Sequence, residues 1–174
     1  MERRLIQQGR TSNVYSDKGS MTSLTSINGS YPTRSGVILV TDDKFMSSIP
    51  YIGHAAIVYS AKQVVESDKG QGVHFGSNNW NSSKNHVVGR SVIGTSMDQD
   101  AHAAYWAARQ IGKGYSTDFM NKDRRDIFYC SQLVWAAYKD TTGVDLDMNG
   151  NLYGAAVAPL ELMNTPKAYT IYQK

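Results

Sequence analysis

Only one cysteine occurs among the 174 residues of this chain, and several other signatures are absent. A single thiol cannot form an internal disulfide, so cysteine usage does not indicate a redox compartment. No apolar run reaches the roughly 18 residues that a membrane-spanning helix requires, so we expect no stable membrane insertion. Lys and Arg exceed Asp and Glu by three charges, with no block of one sign, which gives no indication of nucleic-acid binding.

Two common catalytic signatures are also missing. The sequence has no CxxC, HxxxH or HxH spacing, and scattered single ligands are an unusual source of a zinc site in a protein of this size. We therefore expect no metal and no cofactor. It also lacks GxSxG, the nucleophile turn of many serine hydrolases, so that class is poorly supported.

The amino terminus, MERRLIQQGRTSNVYS, begins with basic residues but has no apolar segment, so it is not a signal peptide as it stands. The sequence leaves the compartment open. We expect an extracellular or cell-envelope protein if an export signal has been removed, and a cytoplasmic one otherwise.

The length of the chain suits one domain with a sizeable core. Residues 11–35 are rich in Ser, Thr, Gly and Asn and poor in large apolar side chains. We therefore predict a polar amino-terminal arm over residues 1–30 and a compact domain over residues 31–174.

Strand patterns are concentrated between residues 36 and 95, and helix patterns follow them. The strand candidates are GVILVT, then GHAAIVY and QVVES as a hairpin, then GVHF and HVVGRSVIG. From Ser96 the segment MDQDAHAAYWAARQIGKG opens with capping residues and is dense in Ala, and SQLVWAAYKD predicts a second helix after Cys130. This grouping predicts an α+β fold, not alternating βαβ units.

The single thiol, Cys130, has two interpretations. It shares an apolar stripe with Leu133, Val134 and Ala137 on the second helix, and free Cys is often a buried packing residue. Its place in the first helical turn argues the other way, because unpaired N–H groups and the helix dipole stabilise a thiolate and could bind an oxyanion. The helix alone favours packing, and a nucleophile would need a base.

His54 is the histidine that most needs an explanation. It heads the apolar strand GHAAIVY, where a polar ring is costly without partners. His74 and His86 flank the polar loop GSNNWNSSKN, and His102 lies in the polar first part of an Ala-rich helix, settings typical of surface or packing histidines.

A catalytic imidazole is normally oriented by a third polar group, and Glu66 lies twelve residues after His54 at the end of the facing hairpin strand. Strand alternation sets a condition on this pair. The two residues share a sheet face only if the hairpin connection has an odd number of residues or carries a bulge. A two-residue turn at Ala61-Lys62 would put Glu66 on the wrong face.

Three segments together resemble the NlpC/P60 cysteine hydrolase superfamily, specifically its circularly permuted, YiiX-like branch. They are GHAAIV at residues 53–58, VVE at 64–66 and YCSQLV at 129–134. In ordinary members a Cys-Ser motif opens a helix and a Gly-His strand follows it, whereas here the His precedes the Cys by 76 residues. The resemblance covers most of residues 31–142.

The resemblance implies a papain-like fold in which a helix bearing the Cys packs on an antiparallel sheet bearing the His. It further implies that Cys130 is the nucleophile, His54 the general base and Glu66 the group that orients the imidazole. Tyr129 stands where unpermuted members often have an acidic residue, and Glu66 stands where they commonly have His. A carboxylate can also hold the ring and favours imidazolium.

The better-known members cleave amide bonds in bacterial cell-wall stem peptides, and permuted members are also similar to enzymes that move acyl groups on lipids. We therefore expect a cysteine peptidase or amidase whose partner is a peptide or small amino-acid-containing substrate. The alternatives are a lipid acyltransferase or phospholipase, and a non-catalytic binding module. The lipid enzymes should show an exposed apolar patch or amphipathic segment, and we find none in the sequence.

Five residues are candidate substrate contacts. Two lie near the Cys in sequence and three form a polar and aromatic loop: Tyr115, Tyr129, Asn78, Asn79 and Trp80. Surface and packing roles remain open for all five. The sequence does not indicate an oligomeric state.

Overall fold

The structure, a computed structural model, describes residues 29–43, 53–148 and 154–174. Within these ranges the strands are β1 (Ile38–Thr41), β2 (His54–Val58), β3 (Gln63–Asp68), β4 (Gly72–Ser77), β5 (Val88–Val92), β6 (Gly114–Tyr115), β7 (Ile127–Phe128) and β8 (Ala168–Gln173). The helices are α1 (Trp80–Ser83), α2 (Met97–Ala108), α3 (Cys130–Thr142) and α4 (Pro159–Asn164).

Six strands form one antiparallel sheet in the order β4-β3-β2-β1-β5-β8. Strands β6 and β7 form a separate short parallel pair. The predicted α+β fold is therefore confirmed, and all five predicted strand segments contain a strand. The sheet also extends beyond residues 36–95, because β8 near the end of the chain pairs with β5 and forms one edge.

The sheet is covered on both faces. On one face, α2, α3 and α4 bury a large apolar cluster that includes Ala55, Ile57 and Leu133. On the other face lies a smaller apolar cluster, formed by the side chains of the central strands that point away from the helices, together with residues outside those strands. Its buried members are Val37, Leu39, Ala56, Val58, Val64, Trp80, Val87 and Tyr172. Alternation along each strand therefore assigns every central side chain to one of two buried layers.

The hairpin of β2 and β3 meets the condition set by strand alternation. Val58 is paired with Val64, and the Tyr59 amide donates to the Gln63 carbonyl over 2.9 Å. Residues 60–62 are left as an odd, three-residue connection. Positions 54 and 66 consequently lie on the same face of the sheet.

The predicted polar arm falls almost entirely outside the described residues, of which only 29 and 30 belong to it. The boundary at residue 30 stays a prediction. Among the helices that the structure describes, none has the length and apolar character needed to cross a membrane.

Asn78 anchors the segment before β1 to the hairpin. Its buried side-chain oxygen accepts a hydrogen bond from the Tyr31 hydroxyl at 2.8 Å, and its amide nitrogen donates to the carbonyls of Pro32 at 3.0 Å and Ser60 at 3.2 Å. One amide side chain thus satisfies polar groups from two segments distant in sequence.

Replacing this residue tests that role. We expect Asn78→Ala to destabilise the fold by about 2 kcal/mol, because it leaves buried partners unsatisfied, and to lower Tm by roughly 4–8 °C. The matched control is Asn79→Ala, since Asn79 is exposed and its side-chain oxygen makes only a 3.4 Å contact with the Ser83 hydroxyl. Equal melting temperatures for the two variants would contradict the anchoring role.

Candidate active site

Helix α3 begins at Cys130 because the preceding residue is held in an extended conformation. Tyr129 has φ −88° and ψ 168°, and its amide donates to the Gln132 side-chain oxygen at 3.0 Å. The Gln132 amide nitrogen donates in turn to the carbonyls of Lys122 and Arg124, each at 3.0 Å. These bonds fix the first turn of α3, where backbone N–H groups have no intrahelical acceptor.

The start of the strand that carries His54 is also fixed by the backbone, at the preceding glycine. Gly53 has φ +109°, and a Cβ at this position would lie 2.5 Å from the Thr41 carbonyl oxygen. Glycine is therefore required both by the left-handed conformation and by the close approach of β1. His54 becomes the first residue of β2.

Cys130 and His54 approach each other from opposite faces of the sheet. His54 stacks on Trp80 on the face that carries the smaller apolar cluster, whereas α3 packs against the other face. They can meet because each residue is the first of its element. The thiol sulfur accepts a hydrogen bond from the Ala55 amide and is hydrogen bonded to the His54 ring.

Glu66 completes a chain of side chains. The His54 Nε2 atom lies 2.8 Å from Glu66 Oε2. Because Nε2 is engaged by the carboxylate, Nδ1 is the ring nitrogen left for the sulfur. Gly76 makes room for the carboxylate, since a Cβ there would lie 2.0 Å from Glu66 Oε1. The structure therefore brings Cys130, His54 and Glu66 together.

The electrostatics of the pair favour a thiolate and an imidazolium. Burial alone would raise the pKa of Cys130, but the hydrogen bond and charge of His54, with the Ala55 amide, hold it below its usual value. Burial alone would lower the pKa of His54, and the bonds to Cys130 and Glu66 raise it well above its usual range instead. Each charge is the main stabiliser of the other.

The two carboxylates beside the imidazole differ. Burial acts to raise the pKa of Glu66, but the hydrogen bond and charge of His54 lower it. Burial and the charge of Glu66 raise the pKa of Asp68, whose Oδ1 lies 3.4 Å from His54 Nε2. Glu66 is thus the closer and more firmly ionised partner of the ring.

Trp80 supports the imidazole from its face. The two rings are 5.4 Å apart with an interplanar angle of 26°, and Trp80 is only 3 % exposed. An aromatic face attracts a cation, so this stacking favours the protonated ring. A buried indole presents little surface to a substrate, and the polar loop thus supplies a positioning residue for His54.

The other four candidate substrate contacts have different settings. Asn78 is buried in the anchoring contacts described above, and Tyr129 is buried with its hydroxyl accepting from the Val157 amide at 3.0 Å. Asn79 is exposed, and the structure shows no contact between it and Cys130, His54 or Glu66. Tyr115 is half-buried, and its pKa is raised by burial and by the charges of Cys130 and Asp68, so its phenol lies within electrostatic range of both groups.

One carboxylate and one imidazole beside this site were not predicted from the sequence. Asp68 lies two residues after Glu66 on the same strand, and His74 pairs directly with Glu66 across β3 and β4. One donor atom each from His54, Glu66 and Asp68 lie within 4.8 Å of one another, so these residues could hold a metal ion. These residues do not form a contiguous metal-ligand motif in the sequence, because strand pairing is what brings them together.

Comparisons with known proteins agree with this geometry. Residues 36–171 match the family described as permuted papain-like amidase enzymes of the YaeF/YiiX type. The uncharacterized protein YycO from Bacillus subtilis strain 168 is 30% identical over 123 residues, which cover 68% of this chain and 48% of YycO. The chain thus spans about half the length of that curated relative.

A solved structure has the same fold. The crystal structure of the metalloprotein YiiX from Escherichia coli O157:H7 superposes with a TM-score of 0.62 at 22% identity, covering 82% of this chain and 98% of that one. Permuted strand and helix order, a thiol at a helix start and a facing histidine thus agree with the family match. The chain belongs to the permuted papain-like amidase family of YaeF and YiiX.

Proposed function

We propose that this protein is a thiol amidase in which Cys130 is the nucleophile, His54 the general acid and base, and Glu66 the orienting group. The observation that carries the proposal is the hydrogen-bonded chain from Cys130 through His54 to Glu66. Cys130 itself is largely buried, with 9 % of the residue exposed to solvent. A thiolate is the reactive form of cysteine, and the charge of His54 favours it.

In the first half of the reaction, the Cys130 thiolate attacks the amide carbonyl carbon and forms a C–S bond. The carbonyl π electrons move to oxygen and give a tetrahedral oxyanion. When that intermediate collapses, the C–N bond breaks and His54 gives its proton to the leaving nitrogen. The products are a free amine and an acyl-enzyme thioester.

In the second half, water attacks the thioester and His54 takes a proton from it. The C–S bond breaks, a carboxylic acid product leaves, and the thiolate and imidazolium are restored. Glu66 remains ionised throughout and holds the ring through Nε2, so that Nδ1 faces the reacting atoms.

The oxyanion requires hydrogen-bond donors, and two groups suit this role. The Cys130 backbone N–H lies in the first turn of α3, where the helix itself supplies no acceptor for it and the helix dipole favours negative charge. The raised pKa of Tyr115 keeps its phenol protonated, so that it can donate. We therefore retain Tyr115 as a contact to the substrate carbonyl, and we give Trp80 a positioning role behind His54.

The substrate class is inferred from the resemblance. Members of the wider superfamily cleave cell-wall stem peptides, so we propose peptidoglycan stem peptides or related small peptides as substrates. A lipid acyltransferase or phospholipase would use the same three residues, and it is the alternative that a substrate test must separate.

The reactivity of Cys130 tests the ion pair directly. With a chelator present, we expect the rate of iodoacetamide labelling to change little between pH 6 and pH 8. For an unperturbed thiol with a pKa near 8.5, the labelling rate would instead fall by about two orders of magnitude from pH 8 to pH 6. Mass spectrometry of the intact protein measures the rate.

The matched variants are His54→Gln and His86→Gln. The first should shift labelling to a pH at or above that of an ordinary thiol, since burial of Cys130 remains while its counter-charge is lost. The second changes a histidine that pairs with Asp42 and makes none of the ion pairs of His54, and it should leave the profile unchanged. A wild-type thiol that reacts only above about pH 8 would instead favour a non-catalytic binding module.

Product analysis tests the reaction. Defined muropeptides are digested and the products are read by mass spectrometry, and phospholipid vesicles are treated in parallel. We expect wild type to cleave an amide bond of a muropeptide, and Cys130→Ala to lose roughly four to six orders of magnitude in rate because the nucleophile is gone.

Thermal melting provides the control for folding, because removing one buried sulfur should leave the Cys130→Ala protein folded at assay temperature. Full activity in this variant would overturn the mechanism. Lipid deacylation that depends on Cys130, without muropeptide cleavage, would support the acyl-transfer alternative.

A further inference from the structure

Beside the thiol, two imidazoles and two carboxylates form a continuous cluster on one face of β2, β3 and β4. Asp68 Oδ1 lies 3.4 Å from His54 Nε2, and the latter is 2.8 Å from Glu66 Oε2. On the other side, His74 Nε2 lies 3.5 Å from Glu66 Oε1 and 3.5 Å from Asp68 Oδ2. Each carboxylate thus presents one oxygen to each imidazole.

Strand register brings this cluster together. Glu66 and Asp68 are two residues apart on β3 and therefore point to the same face. His74 lies opposite Glu66 on β4. Its Nδ1–H donates to the Gly72 carbonyl over 2.8 Å, which turns Nε2 towards the carboxylates. The histidine rings are thus aimed at the same two acids from neighbouring strands.

The donor spacing suits a small divalent ion. In a tetrahedral zinc site with bonds of about 2.1 Å, adjacent ligand atoms are about 3.4 Å apart. His54 Nε2 lies 3.4 Å from Asp68 Oδ1, at this spacing, and 2.8 Å from Glu66 Oε2, somewhat below it. His74 Nε2 lies 3.5 Å from the other oxygen of each carboxylate. Imidazole nitrogen and carboxylate oxygen are both zinc ligands, and one donor from each of His54, Glu66 and Asp68 lies within 4.8 Å of the others.

The cluster is reachable from solvent on one side. The His54 side chain is 5 % exposed, whereas those of Asp68 and His74 are 17 % and 22 % exposed. Asp68 and His74 are therefore the members of the cluster that solvent reaches most, whereas the His54 ring is more deeply buried. The Cys130 thiol is hydrogen bonded to the same imidazole ring, that of His54.

We propose that His54, Glu66 and Asp68 bind a zinc-like divalent transition-metal ion, and that His74, whose Nε2 faces the other oxygen of each carboxylate, supports the site. His54 would then coordinate through Nε2, and the proton on that nitrogen is released to solvent. A ligated neutral imidazole keeps its remaining proton on Nδ1, so it has no free lone pair with which to accept the proton of water. The metal-loaded protein is therefore an inactive form.

The binding part of this proposal is independent of the proposed amidase activity, and only the inhibition rests on it. Equilibrium dialysis of untagged, metal-free protein against Zn²⁺, with metal content measured by plasma mass spectrometry, tests binding alone. We expect one equivalent in wild type and in Cys130→Ala. Asp68→Asn and His74→Gln should each weaken binding by at least tenfold.

His86→Gln is the matched control, because His86 also contacts a carboxylate, Asp42, at 2.7 Å but lies outside the cluster. It should bind like wild type. Zn²⁺ should also raise the Tm of Cys130→Ala and not that of Asp68→Asn, which checks that both variants are folded. Absence of stoichiometric binding, its loss in Cys130→Ala, or full binding in Asp68→Asn would overturn the site.

Inhibition is measured separately. Zn²⁺ should abolish wild-type hydrolysis, a chelator should restore it, and the inhibitory concentration should rise at least tenfold in His74→Gln. Zinc bound by Cys130→Ala, together with a wild type inactive on both muropeptides and lipids, would defeat the amidase proposal and leave the metal site standing. Bound zinc without inhibition of an active wild type would overturn the inactive form.

Discussion

The contact between Cys130 and His54 holds two opposite charges in a place where burial disfavours both. Desolvation alone would neutralise the thiol and the imidazole, and the mutual hydrogen bond reverses each effect. Such a pair depends strongly on position, because a buried charge without its partner is costly. The fixed start of α3 and the glycine before His54 therefore serve one requirement, which is that two chain elements begin at the same point.

The carboxylates of Glu66 and Asp68 repel each other, but together they attract positive charge. Glu66 stabilises the charged ring, but it also makes a second negative charge at Asp68 harder to sustain, as the raised pKa of Asp68 indicates. The same concentration of oxygen atoms that favours imidazolium also attracts cations. Support of the base and affinity for a metal ion are therefore two properties of one arrangement, and protons and ions compete for it.

Local sequence patterns were sufficient for part of this site. For Glu66, strand alternation gave only a condition, an odd hairpin connection or a bulge, which the register of β2 and β3 then meets. The helix start at Cys130 could be predicted from the sequence. Asp68 and His74 could not be recognised, because their meeting depends on the register of three strands. Trp80 was named only as a candidate substrate contact, because its stacking on His54 depends on the folding of a polar loop into one short helical turn. Strand β8 was missed because its pairing with β5 joins residues about 80 apart in the chain.

The permuted order also affects when reactivity arises. His54 precedes Cys130 by 76 residues, so the proposed base leaves the ribosome before the proposed nucleophile does. In a chain still being synthesised, the thiol has the ordinary pKa of about 8.5 and is mostly protonated at neutral pH. The ion pair requires the docking of α3 at the start of β2, so an incomplete or misfolded chain carries no activated thiol. The proposed nucleophile is in this sense a product of folding, and its reactivity reports that folding has finished.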